Sequence, residues 1–324
     1  MATVTTPLRL YPPEGPNDGR GFRVDTAQLL IDVLGPVVLI VAVGAVVGPR
    51  LGLEVATLSK IAYWIFGPAF VFNIFATTTL EADTALRLVA AGVAGLAAAA
   101  AVSALVAPAV GLRGSAASVT VMSATYGNVG NAGLAICVFA LGDDALDQAG
   151  VLMVTIMFFG TLLSVWLGTR QHRSSAAALL EAMRAPMIVA GIVGFSLNVA
   201  GFDPPVLIDR AVATIAAGLI PTMLVSLGIQ LVAVGTVRWL RSTSVVSAAK
   251  LAVAPLAAWG AAEALGLAGD DRGVVVLQSA MPPAVFCMVI AIEHGLDDER
   301  STNDVVAVTL ASLISLPVAL TLVA

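Results

Sequence analysis

Read for its apolar and polar positions, the chain falls into long apolar runs separated by short polar joints. The runs cover about 27–48, 55–79, 84–110, 115–141 and 147–169, then 186–201, 206–235, 244–267, 273–294 and 303–323. Each is close to the roughly 20 residues that a helix needs to cross hydrocarbon. Helix is also the conformation that satisfies backbone polar groups within a single segment there. The pattern predicts an all-α membrane protein with ten transmembrane helices. The joint at 170–185, beginning Arg170-Gln-His-Arg-Ser-Ser175, is the longest between runs and parts them five and five. Residues 1–25, with Pro12, Pro13, Gly15, Pro16 and Gly19, read as a flexible tail. The tail lacks the apolar centre of a signal peptide. The expected organisation is a tail at 1–25, a five-helix repeat at 26–169, a cytoplasmic connector at 170–185 and a second, inverted repeat at 186–324.

Two runs contain interruptions. The fourth holds Ser123-Ala-Thr-Tyr-Gly-Asn-Val-Gly-Asn-Ala-Gly-Leu134, where Gly127, Gly130 and Gly133 each weaken a helix by about 1 kcal/mol relative to alanine. Asn128 and Asn131 add amides that compete for backbone partners. The ninth holds Ser279-Ala-Met-Pro-Pro-Ala284, whose two prolines remove two helix N–H groups and push the preceding residues out of helix. In hydrocarbon, an unwound backbone survives only inside protein or beside a water-filled cavity. One break in each half points to a secondary transporter with its site at the crossing. Asn128, Asn131 and Gly130 are expected to face Pro282 and Pro283. Ser123, Thr125 and Tyr126 would line the approach on one side, and Gln278 and Ser279 on the other. Asn73 and Ser226, each five residues after a proline (Pro68, Pro221), are weaker candidates for the same cavity.

The halves match at several places. Gly67-Pro68 in the second run pairs with Ile220-Pro221 in the seventh, and Ser123-Ala124 with Ser279-Ala280. Leu-Gly-Asp-Asp144 pairs with Gly-Leu-Asp-Asp298. An odd number of spans per half puts equivalent elements on opposite sides of the membrane, and the four aspartates read as helix caps. Ten of the 16 Lys and Arg flank the joints after odd-numbered runs, which makes that side cytoplasmic and both termini extracytoplasmic.

Composition excludes much. At 59% hydrophobic, 11% charged and mean hydropathy +0.97, the chain belongs in a bilayer. Nothing is basic enough for nucleic acid. Cys137 and Cys287 both lie in apolar runs and suggest neither a disulfide framework nor a thiolate metal site. The two histidines, His172 and His294, form no HExxH pair, and neither a Walker motif nor GxSxG occurs. No enzyme, cofactor or metal is expected. Asp32, Lys250, Glu263 and Glu293 fall near run ends, where interfacial placement accounts for them.

At the two interruptions the sequence resembles the auxin efflux carrier family, which includes plant PIN-type carriers and bacterial malate or malonate permeases. The family's fourth span reads Asn-x-Gly-x-x-Gly-Leu-Pro; Asn128, Gly130, Gly133 and Leu134 match, with Ala135 in place of the proline. The family's Pro-Pro-Ala turn is matched by Pro282, Pro283 and Ala284. More distantly the chain resembles the bile acid, arsenite and riboflavin transporter superfamily. The resemblance implies a plasma-membrane carrier of a small organic anion, with broken fourth and ninth helices crossing at the solute site. Expected partners are that anion and the lipid bilayer, with a homodimer an open alternative. A sodium-coupled symporter of the bile-acid type and a channel-like pore are the rival readings; a non-transporting sensor or scaffold is a third.

Overall fold

The computed structural model describes residues 26–169, 180, 183–202, 204–233 and 237–323. The expected tail and most of the connector lie outside the described residues. Within them the chain is helical, with no strand beyond one isolated bridge. The helices in order are α1 (Thr26–Leu51), α2 (Val55–Thr77), α3 (Ala82–Ala109), α4 (Ser115–Thr125), α5 (Leu134–Leu141) and α6 (Leu146–Thr169). Then follow α7 (Pro186–Val199), α8 (Val206–Ala216), α9 (Leu219–Ala233), α10 (Arg241–Ala264), α11 (Gly269–Ser279), α12 (Phe286–Glu293) and α13 (Asp298–Val323). Among the described residues seven stretches are long and apolar enough to cross a membrane: five single helices, the residues 143–168 that contain most of α6, and the α8–α9 pair. The chain is a multi-pass membrane protein by that measure. Leu105, Leu207 and Ile314 turn largely exposed side chains outward, which suits hydrocarbon rather than water.

Two groups of helices are evident from packing. In one, α1 lies on α9, and α2 lies on α7 and α8. In the other, α3, α4, α6, α10, α11 and α13 pack among themselves. Small residues permit the close approaches. On α3 the buried positions Leu88, Ala91, Gly92, Gly95, Ala99, Ser103 and Ala107 recur every three or four residues, so they form one stripe. A Cβ on Gly95 would stand 2.9 Å from the Ala254 carbonyl oxygen of α10. Ser103 hides its hydroxyl by donating to the Ala99 carbonyl at 2.6 Å.

Prolines have two different effects. Within α2, the turn Ala62–Phe66 widens to π geometry just before Gly67-Pro68, and within α10 the turn Ala249–Val253 widens just before Ala254-Pro255. A proline ring collides with the carbonyl four residues back and offers no N–H, and a wider turn relieves both problems. Pro36, Pro49, Pro108 and Pro317 lie inside helices recorded as α throughout.

The α1–α9 contact makes a direct test. A Cβ on Gly228 would run into the Val41 carbonyl oxygen, and one on Gly44 into the Val225 carbonyl oxygen. Gly228→Ala should therefore lower the melting temperature of the detergent-purified protein, because overpacking costs about 1–3 kcal/mol. Gly260→Ala, with nothing within 4 Å of the new atom, should hold or raise it. Differential scanning fluorimetry of both variants checks the pair.

Candidate functional site

The two interruptions meet. Helix α4 ends at Thr125 and helix α11 at Ser279, and the extended residues beyond them pair antiparallel through an isolated bridge between Gly127 and Pro283. The Asn128 N–H donates to the Pro282 carbonyl at 2.7 Å, and the Ala284 N–H donates to the Tyr126 carbonyl at 2.8 Å. After the bridge, the first strand of chain turns through a π turn at Val129–Gly133 into α5, and the second enters α12. The glycines loosen the first break and the prolines enforce the second, as their backbone chemistry requires. Ala135, where the family motif has proline, is fully buried in α5 and the break forms without it.

Most of the expected residues are gathered here. Asn128 is buried, its Nδ2 has no hydrogen-bond partner, and its carbonyl accepts from Ala132 and Gly133. Ser123, in the last turns of α4, is fully buried with no partner for its hydroxyl. Tyr126 is buried; its hydroxyl accepts from Thr161 at 3.4 Å, and its ring meets Phe286 edge-on with centroids 5.7 Å apart. Gln278 donates to the Ala149 carbonyl at 3.3 Å, and its Oε1 packs against Gly133 without a hydrogen bond. Ser279 is buried with an unpartnered hydroxyl beside Gly95. Gly130 lies in the π turn near Met153. The backbone of Asn131 shares that turn, and its side chain lies outside the described residues.

Asn73 lies on α2 and Ser226 on α9. The Asn73 carbonyl accepts from Thr77 at 2.8 Å, and the Ser226 hydroxyl accepts from Gln230 at 3.3 Å. Among the described residues no hydrogen bond joins either side chain to the crossing, although α9, which carries Ser226, packs on the π turn.

Lys250 requires a correction. It does not sit at a run end reaching for an interface. Helix α10 starts at Arg241, so Lys250 falls ten residues in, on the π turn, and only 2% of it is exposed. Its Nζ lies 3.5 Å from the Thr125 carbonyl oxygen and 2.8 Å from where a Cβ on Gly127 would be. The ammonium is thus at the crossing itself. A Lys inside a membrane helix costs about 3 kcal/mol even on the lenient insertion scale. The sequence signal was a lone cation five residues before Pro255 in an otherwise apolar run.

A second buried charge lies at the head of the same helix. Asp304 of α13 is fully buried and accepts from Ser242 at 3.0 Å and Thr243 at 2.6 Å, in the first turn of α10. That places a carboxylate at the positive end of a helix. Of the four aspartates expected as caps, Asp297 does so visibly, accepting the Arg300 N–H at 3.1 Å at the start of α13.

A small cavity borders the crossing at Tyr126. It measures about 20 Å³, is bounded by Tyr63, Tyr126, Phe158, Thr161 and Met187, and has room for one water. A larger hollow of about 700 Å³ opens outward between the end of α3 and the start of α10, lined by Val106, Gly111, Arg241 and Ser244 among others. Among the described residues no group of three or more His, Cys, Asp or Glu could hold a metal ion.

Comparison with known proteins bears on the second half of the chain most directly. Residues 169–320 match the family described as membrane transport protein, consistent with the resemblance to auxin efflux carriers. The match contains Pro282-Pro283-Ala284 and does not extend to the Asn128 motif. An uncharacterized transporter of Methanothermobacter thermautotrophicus is 29% identical over 197 residues, 60% of each chain. An uncharacterized transporter of Methanocaldococcus jannaschii is 23% identical over 192 residues, 58% of this chain and 62% of its own. A protein of Rhizobium meliloti named "Putative malonate transporter" is 24% identical over 200 residues, 59% of this chain and 62% of its own. The chain spans about three fifths of the length of these relatives.

Gly133 tests the packing of the crossing. Gln278 is fully buried and bonded to Ala149, so it cannot swing aside for a new methyl group without losing that bond. Gly133→Ala should lower the melting temperature, by an amount equivalent to about 1–3 kcal/mol. Gly130→Ala, whose Cβ would meet Met153 Sδ at 3.6 Å, should not. Equal effects of the two would mean that the Gln278 contact is not tight.

Proposed function

We propose that the chain is a secondary carrier that moves a small organic anion, of carboxylate chemistry, across the plasma membrane by alternating access. The observation that carries the reading is the bridge at Gly127 and Pro283, which brings two interrupted helices together at a buried polar spot. Convergent helix ends suit an anion, because the π turn leading into α5 and the start of α12 both bring the positive end of a helix dipole to the crossing. The name of the Rhizobium meliloti relative adds carboxylate chemistry at low identity.

In this reading Asn128 and Asn131 hydrogen-bond the solute, while Gly130, Pro282 and Pro283 keep main chain open to it. Ser123, Tyr126 and Gln278 line the approach. The chain comprises ten spans in two inverted five-helix repeats, with both termini extracytoplasmic. Reciprocal packing supports the duplication. Exchanging first with sixth and second with seventh runs turns the α1–α9 contact into the α2–α7 contact, and both occur. The contact of α4 with α10 has its counterpart in that of α11 with α3.

The test is uptake into proteoliposomes, using radiolabelled malonate and malate as probes. Saturable uptake with counterflow is expected; flux without saturation or counterflow would favour a pore instead. Uptake that stops when choline replaces sodium would move the protein to the sodium-symporter reading. Asn128→Ala should cut initial rates about tenfold, the equivalent of one lost hydrogen bond, with folded protein still in the membrane.

A further inference from the structure

The proposed carrier leaves open how the solute's charge is met, and the most unusual side chain at the crossing bears on that. Lys250 is almost wholly buried, and among the described residues its ammonium has one hydrogen-bonding oxygen, the Thr125 carbonyl at 3.5 Å. Among the described residues no carboxylate lies within ion-pair distance of it. An ammonium has three protons to place and no capacity to accept. At 3.5 Å, the single contact is also long for a charge-assisted hydrogen bond. Truly unpaired buried charges are rare because nothing repays their desolvation.

The surroundings are short of anionic acceptors in the same sense. Gly127 passes directly beside the ammonium, where any side chain would crowd it: an added Cβ would be 2.8 Å from Nζ and 3.0 Å from Cε. The next residue, Asn128, holds a buried Nδ2 that donates to nothing. Lys250 projects from the π turn ahead of Pro255, and the backbone that it touches is the last turn of α4, where the first interruption begins. A cation, a free amide donor and two broken main chains therefore occupy one place.

We propose that Lys250 is the counter-charge for the solute's carboxylate, with the Asn128 amide as a second donor to the same group. The inference rests on the carrier reading above and adds the residue that selects for charge. A carboxylate has two acceptor oxygens and a full negative charge, which matches a cation plus a neutral donor. A neutral amide of the same shape supplies a weaker acceptor and no charge, so it is rejected. The stem of Lys250 is flexible and its head is a compact charge, so it can leave the Thr125 carbonyl and follow the incoming group.

The experiment measures binding to the detergent-purified full chain by thermal shift and calorimetry. The probes are acetate, malonate, malate and benzoate, each beside its uncharged amide. The wild-type protein should bind at least one acid and not its amide. Lys250→Gln should weaken that acid by about 30-fold or more, as loss of one partner from a buried charge pair does, and Lys250→Arg should recover part of the loss. An acid that Lys250→Gln binds as tightly as wild type overturns the assignment and leaves the carrier reading intact. An amide bound as well as its acid by wild type overturns it too, whether or not the variants fold. Failure of the wild type to bind any of the four acids overturns both the assignment and the carboxylate carrier.

Discussion

Two main-chain hydrogen bonds, Asn128 N–H to Pro282 and Ala284 N–H to Tyr126, are the constraint on which the rest of the architecture depends. Breaking a helix strands donors and acceptors at both ends of the break, and burying them unpaired is costly. Each break in this chain supplies what the other lacks. Pro282 and Pro283 have carbonyls and no N–H groups, and the glycine-rich segment opposite offers an N–H and a carbonyl in the right alternation. Neither interruption satisfies itself, so the two stretches, 156 residues apart at the Gly127–Pro283 bridge, must come together for either to be buried. The thiol of Cys287 reinforces the join, lying 3.8 Å from the carbonyls of Met122 and Tyr126 at the end of α4.

The same geometry explains how a lysine is tolerated at the crossing. The last turn of α4 ends there, and the C-terminus of a helix carries partial negative charge. Lys250 rests on Thr125, in that last turn. At the head of α10 the polarity is reversed, and Asp304 sits against Ser242 and Thr243. Roughly 10 Å of helix separates Thr243 from Lys250, too far for the two charges to pair directly. Helix α10 thus holds an acid and a base apart, each steadied by helix ends and hydroxyls rather than by the other. The base therefore stays free to answer a third party.

Much of this was legible from residue order. The runs fall on helices, the Gly-Asn and Pro-Pro segments break them, and the small residues of α3 mark a close contact. Lys250 was misread for a definable reason. Apolarity marks a run's beginning at about 244, whereas the hydrogen-bonded helix begins at Arg241, because Asp304 and Asn303 of α13 satisfy its polar first turn. Those partners lie some 60 residues downstream, and no local pattern announces them. The π turns were equally hidden. Pro68 and Pro255 follow one, while Pro36, Pro108 and Pro317 do not, so the outcome is set by what packs around each proline. The direction of a side chain beside such a turn is set by the same packing, and Lys250 is on one.

The boundary between the two helix groups has a different chemistry from the crossing. Tyr63 of α2 stacks on Phe286 of α12 with rings 13° from parallel, and Tyr126 meets Phe286 edge-on. Met187 of α7 borders the same small cavity. Contacts of this kind are apolar and tolerate sliding, since aromatic pairs accept several offsets at similar energy. The backbone bridge is directional and does not. In the carrier proposed above that division would matter: the cavity of about 20 Å³ beside Tyr126 is too small for a carboxylic acid, so a solute entering there would have to part the groups. In that proposal the aromatic boundary would yield before the hydrogen-bonded crossing, letting the donors keep their geometry while access to them changes.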